Sequence, residues 1–123
     1  MKPSMTGLKR ICFATKYSLQ GLKAAWINEA AFRQELLLFI IFAAITCLLP
    51  VSNLEQLALI ACLFLVLIVE LINSAIEAIV DRIGPEIHEL SGRAKDIGSA
   101  SVFLALLLTI FTWVMILLPK VGI

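Results

Sequence analysis

The chain has 123 residues, 61% of them apolar and 15% charged, with a mean hydropathy of +1.02. Soluble domains run at about 45–50% apolar and about 25% charged, so this composition excludes an ordinary water-soluble domain, and it excludes disorder, which needs few apolar residues and high net charge. Ten Lys/Arg against nine Asp/Glu leave a formal charge of +1, which gives no footprint for nucleic acid. Cys12, Cys47 and Cys62 show no CxxC spacing and read as small apolar residues rather than as a disulfide framework or metal knuckle.

In chain order, the first element predicted is an amphipathic helix over about 7–28. Leu8, Ile11, Cys12, Thr15, Leu19, Leu22 and Trp26 recur at spacings of three and four, while Lys9, Lys16, Gln20 and Lys23 share the other face, interrupted by Phe13. Such a helix lies on a membrane surface. Residues 36–54 carry no charge before Pro50, Ser52 and Asn53 mark a turn, giving a first spanning helix over about 30–49. The 14 uncharged residues Gln56–Val69 make only about 21 Å of helix against a hydrocarbon core of about 30 Å, so a second span, within a helix over about 55–82, must continue through Glu70. The 23 uncharged residues Ile97–Pro119, about 34 Å of helix, form the third, within a helix over about 92–119. The expected fold is thus an all-α membrane protein of one domain, 1–123, with a surface helix and three spans.

With three spans, nine of the ten cations (Lys2, Lys9, Arg10, Lys16, Lys23, Arg33, Arg82, Arg93 and Lys95) fall on one side and Lys120 on the other. The positive-inside rule then places the N-terminus and the 82–96 loop in the cytoplasm, with the 50–55 turn and the C-terminus outside, as in a multi-pass membrane protein.

Polar groups within the spans carry the functional signal. Glu70, Asn73, Ser74, Glu77 and Asp81 form one stripe on an otherwise aliphatic helix, with Glu70 in the inner half of the hydrocarbon and Glu77 about 10.5 Å further on, near the cytoplasmic boundary. A stripe of this kind faces protein or water, because ionisable groups turned to lipid cost several kcal/mol. A buried packing seam is the plain alternative, but it requires fewer carboxylates. Glu29 and Arg33, at i and i+4, are expected to form a helix ion pair. His88-Glu89 is no zinc motif, since the chain has one His. Tyr17, Trp26 and Trp113 suit interfacial anchoring. Ala94, Gly98, Ser101, Ala105, Thr109 and Thr112 give the third span a small-residue face of the kind used in close helix packing. Three helices offer few walls around the Glu70 stripe, so self-association is expected.

Glu70 stands where a lipid hydroxyl would sit, which suits a general base. Glu29 and Glu77, nearer the cytosol, suit Mg²⁺, which favours a few carboxylates plus substrate phosphate oxygens. Arg10, Arg93 and Lys95 suit phosphate neutralisation. The chemistry is phosphoryl transfer from a soluble nucleotide to a membrane alcohol. No P-loop and no protein-kinase signature is present, so spacing alone does not identify the nucleotide.

Three segments, Lys23–Glu35 (KAAWINEAAFRQE), Glu70–Arg82 (ELINSAIEAIVDR) and His88–Asp96 (HELSGRAKD), closely resemble the prokaryotic integral-membrane diacylglycerol kinases, and the resemblance extends over essentially the whole chain. Pro85 and Ile87 depart from the family pattern. The resemblance implies an ATP-dependent kinase of the inner membrane that moves the γ-phosphate of Mg·ATP to the primary hydroxyl of diacylglycerol to give phosphatidate, in a homotrimer whose sites are shared between neighbouring chains. It implies Glu70 as the base, supported by Asn73, and Glu29 and Glu77 as the Mg²⁺ carriers. It also implies nucleotide contacts from Arg10, Tyr17, Glu86, His88, Lys95 and Asp96 beside those two carboxylates. The lipid path would be formed by Arg10, Lys23, Trp26, Arg33, Gln34, Glu35, Glu70, Ser99 and Trp113. An undecaprenol kinase would use the same phosphate chemistry on a longer prenyl acceptor. A small proton-coupled exporter also uses an intramembrane Glu in an oligomer of short chains, although such proteins usually have four spans and no charged inner loop.

Overall fold

A computed structural model describes residues 6–86 and 88–122, so Lys2 and Ile87 lie outside the described residues. Four α-helices follow one another, α1 (Gly7–Asn28), α2 (Ala30–Thr46), α3 (Asn53–Ile83) and α4 (Glu89–Leu117), with a 3₁₀ turn over Leu118–Val121; there is no strand among the described residues. The helices α3 and α4 are long and apolar enough to cross a membrane. At 31 and 29 residues they extend about 46 and 43 Å, so each is longer than a hydrocarbon core is thick. The helix α2 has 17 residues and ends at Thr46, earlier than the span predicted through residue 49.

Local sequence explains the ends. Ser52 and Glu55 form a reciprocal capping box at the start of α3: the Glu55 N–H donates to Ser52 Oγ (3.1 Å) and the Ser52 N–H to Glu55 Oε1 (2.9 Å). His88 caps α4, its Nδ1 accepting from the Leu90 N–H at 3.0 Å, which starts this helix three residues before the predicted 92. At the other end Pro119 and Gly122, the latter at φ 80°, tighten and stop the chain, so the α-helix gives way to the 3₁₀ turn at Leu118 rather than continuing to 119.

The helices α3 and α4 pack as an antiparallel pair along most of their length. From one end of the seam to the other, Lys95 pairs with Asp81 (2.7 Å), Gly98 meets Asn73, and Thr109 Oγ1 donates to the Cys62 carbonyl (3.3 Å). Beyond these, Trp113 Nε1 donates to the Leu59 carbonyl (3.2 Å) and Lys120 pairs with Glu55 (3.1 Å). Gly98 and Ala105, from the small-residue face, are buried in this seam. That face therefore packs inside the chain. Beside α4, α2 packs on another face of α3 through Phe32, Leu36 and Phe39, and Phe39 meets Phe64 edge-on at 4.6 Å between ring centres. Phe42 of α2 meets Trp113 of α4 in the same way at 5.5 Å. The helix α1 buries only Ala25, against Phe32 and Leu67, and leaves Leu8, Ile11, Leu19 and Leu22 exposed, so most of its apolar face is not covered by the described residues.

Candidate active site

The deepest polar group sits on α3. Glu70, Asn73 and Ser74 are only 6%, 6% and 8% exposed, Glu77 is half-buried, and Asp81 is exposed, so the stripe runs from the interior to the surface along one helix face. No cation and no hydrogen-bond donor pairs with the Glu70 carboxylate among the described residues; the charged groups that act on it are Glu35, Glu77 and Glu29. Asn73 Nδ2 donates to Glu77 Oε1 at 3.0 Å, while Asn73 Oδ1 is buried without a partner.

Glu29 reaches this neighbourhood because the chain bends there. Its φ of −116° and ψ of 104° are extended, so it closes α1 and opens α2 at once. Its own N–H still donates to the Ala25 carbonyl (2.9 Å), and its carbonyl accepts from the Arg33 N–H (3.2 Å), so the bend costs little of the ladder. The Glu29 side chain makes no capping hydrogen bond, which leaves its carboxylate available. The bend also corrects the expected Glu29–Arg33 ion pair. The extended backbone at Glu29 takes its side chain out of helical register, and Arg33 Nη1 instead donates to the Trp26 (2.7 Å) and Ile27 (3.1 Å) carbonyls that α1 leaves open at its C-terminus.

Four cavities surround these groups. Between α1 and α3 a cleft of about 670 Å³ is lined by Ser18, Asn28, Glu29, Leu71, Ser74 and Ala78, and so joins the bend to the polar stripe. A groove of about 540 Å³ takes Lys23 and Trp26 from α1 together with Phe32, Leu36 and Leu67. An apolar groove of about 330 Å³ runs between α2 and α4 over α3, with Glu35 and Trp113 both in its lining. At the charged end of the α3–α4 pair, Asp81, Gly84, Glu86, His88, Ser91 and Lys95 enclose about 260 Å³. There the Asp81 carboxylate hydrogen-bonds Lys95, which holds the ammonium above its ordinary range; this lysine precedes the charge-free stretch of α4.

The predicted site residues thus separate into groups. Glu29, Glu35 and Glu77 all act electrostatically on Glu70, with Asn73 hydrogen-bonded to Glu77, and Glu86, His88 and Lys95 share one pocket, in which acceptance at Nδ1 leaves His88 Nε2 as the outward donor. Arg10 and Tyr17 lie on the N-terminal half of α1, outside the lining of all four cavities, with Tyr17 against Phe13 at 6.3 Å. Gln34, Asp96 and Ser99 are exposed on α2 and α4. Trp113 is some 11 residues of α3, about 16 Å, from Glu70, because its indole is held at Leu59. Sequence reasoning missed the Asp81–Lys95 pair, which spans a loop and has no spacing rule, and it missed the capping role of His88. The Gly98–Asn73 approach was foreshadowed by Gly98 in the small-residue face.

No group of three or more His, Cys, Asp or Glu converges closely enough to hold a metal by itself among the described residues. The donor set nonetheless fits a hard divalent cation. Glu29, Glu35, Glu70 and Glu77 place negative charge in one region with no Lys or Arg paired to any of them, all donors are oxygens, and Mg²⁺ characteristically takes one or two carboxylates and completes its shell with phosphate oxygens and water.

A family model described as prokaryotic diacylglycerol kinase matches residues 16–117. The diacylglycerol kinase of Escherichia coli (strain K12) is 52% identical over 122 residues, covering 99% of this chain and all of that protein. Those of Pseudomonas aeruginosa and Haemophilus influenzae are each 53% identical, over 96% and 88% of this chain and 99% and 92% of their own lengths.

Proposed function

The chain belongs to the prokaryotic diacylglycerol kinase family, and from that premise we propose how its residues divide the work of a lipid kinase. It is a membrane protein that phosphorylates diacylglycerol with ATP, and ATP chemistry of this kind requires a divalent metal. The proton-coupled exporter has no support from relatives that match end to end and bear a kinase name.

Glu70 is the general base in this assignment. The carrying observation is its burial without any donor or cation, in company with three other carboxylates and beside Asn73. A carboxylate already hydrogen-bonded or paired would be a weaker acceptor for a hydroxyl proton, and this one is free to take it as the lipid oxygen attacks the γ-phosphorus. Glu77 and Glu29, nearer the charged end of α3, would hold the Mg²⁺, and Asn73 orients Glu77 through its 3.0 Å hydrogen bond. The bound metal supplies charge neutralisation on the transferring phosphate. Lys95, His88 and Glu86 face the nucleotide from the loop pocket, and Arg10, Tyr17 and Asp96, which lie outside that pocket, are assigned further nucleotide contacts on the resemblance to the family. The groove from Glu35 to Trp113 and the groove at Lys23 and Trp26 are apolar enough for acyl chains, with Arg33, Gln34 and Ser99 completing the lipid path.

We further assign the whole of 1–123 to one membrane domain with a surface helix and three spans. α2 is the shortest span, flanked by the bend at Glu29 and the turn at Pro50. The N-terminus and the 82–96 loop face the cytoplasm of the inner membrane, the C-terminus faces the periplasm, and the working unit is a homotrimer. The test is reconstitution of the purified chain in lipid with Mg²⁺, γ-labelled ATP and either diacylglycerol or undecaprenol. Labelled phosphatidate, abolished by chelation and restored by Mg²⁺, is expected; label only in the prenyl phosphate would move the acceptor, and no label in either would refute the assignment.

A further inference from the structure

Gly98 lies in the interior of α4 at an ordinary helical conformation, so no backbone torsion requires it, and glycine there is destabilising relative to alanine. Its reason is space. A Cβ at this position would collide with Asn73 Oδ1 and stand 3.4 Å from Asn73 Cγ and 3.8 Å from Ile76 Cδ1. Further along the seam the contacts are of another kind: Thr109 and Trp113 of α4 donate to carbonyls of α3. At Gly98 a buried polar side chain of α3 points at α4 instead, and its oxygen, lacking any donor, rests against the bare Cα. With Oδ1 lodged there, the amide nitrogen is directed at Glu77 Oε1. The opposite flip would set two acceptors, Asn73 Oδ1 and Glu77 Oε1, against each other.

We propose that Gly98 is a positioning residue for the metal end of the site, acting through Asn73 on the Glu77 carboxylate. The proposal rests on Glu77 as a metal ligand, the role assigned above. Because the colliding atom is the tip of a side chain rather than backbone, Gly98→Ala displaces the amide and leaves the helix pair intact. Partners that orient a metal-binding carboxylate are worth about 10–100-fold in metal affinity, so the expected change is of that size.

The experiment uses the full chain in detergent or bilayer, with Mn²⁺ as the probe in the presence of a non-hydrolysable ATP analogue, bound metal being read by electron paramagnetic resonance. Gly98→Ala should weaken Mn²⁺ binding about 10-fold or more, raise the Mg²⁺ concentration for half-maximal activity in parallel, and leave the KM for diacylglycerol and the unfolding midpoint near their starting values. In an Asn73→Ala background, where no oxygen remains to collide, the same change at Gly98 should have no further effect on metal binding or kcat. Additive losses in the double variant, unchanged Mn²⁺ binding in Gly98→Ala, or failure of that variant to fold with recovery in the double variant would each overturn the proposal, the last making Gly98 a packing residue only. Glu77→Gln is the separate control. If it binds Mn²⁺ normally, the metal role of Glu77 fails, and the coupling of Gly98 to Asn73 in kcat still decides the positioning role.

Discussion

Glu70 and Glu77 occupy one face of one helix two turns apart, yet the chain treats them differently. Glu77 is half-buried and holds a hydrogen bond from Asn73, whereas Glu70 is buried and has none. On the proposed roles, Glu70→Gln keeps the shape and removes the proton acceptor. Its kcat should fall by about 10²–10⁴-fold while nucleotide affinity changes little, checked by turnover with diacylglycerol and by equilibrium binding of a non-hydrolysable ATP analogue. An equal loss of nucleotide binding would make Glu70 a ligand. Glu70 and Asn73 were readable from sequence because a carboxylate in an aliphatic run must be explained. Glu29 drew two readings from sequence, a Mg²⁺ carboxylate on the cytosolic side and, from its spacing to Arg33, a surface ion pair. What made it available is an extended residue between two helices, which leaves no trace in a hydropathy pattern.

Among the elements, α3 is the axis: α4 zips along one side and α2 packs on another. Hydrophobic runs and charge gaps announced α3 and α4 in advance, because length and apolarity are what the criterion for a spanning helix requires. Their ends were harder to place. His88 is not a usual N-cap residue, so the start of α4 at Glu89 could not be read from capping rules. The seam chemistry was equally hidden. Trp113 suited an interfacial anchor by residue type, and its hydrogen bond to the Leu59 carbonyl follows from the pairing of the helices and not from local sequence. Trp113→Phe should keep the ring contact with Phe42 and lose the N–H. A destabilisation of about 0.5–1.5 kcal/mol is expected, seen as a lower unfolding midpoint in detergent with the catalytic metal requirement unaltered.

At the scale of the whole molecule, apolar side chains remain exposed on every helix, including Leu19 and Ile27 of α1, Ile41 of α2, Ile72 of α3 and Phe103 of α4. Lipid and, in the proposed homotrimer, neighbouring copies would cover such a surface. Native mass spectrometry from detergent should therefore give a trimer as the main species under conditions that retain activity; a monomer with full turnover would contradict shared sites. The depth difference along α3 has one more consequence. A kinase wastes its nucleotide whenever water takes the place of the alcohol. Here, on the proposed roles, the metal end of the site at Glu77 meets the aqueous boundary, whereas the base at Glu70 is set back along the helix, its backbone about 10.5 Å deeper, in the buried part of the stripe. Water at the boundary finds phosphate but no base, and only a molecule dissolved in the membrane brings its hydroxyl to Glu70. On these roles, fidelity toward the acceptor would be set by its solubility in the membrane as well as by the fit of the lipid grooves.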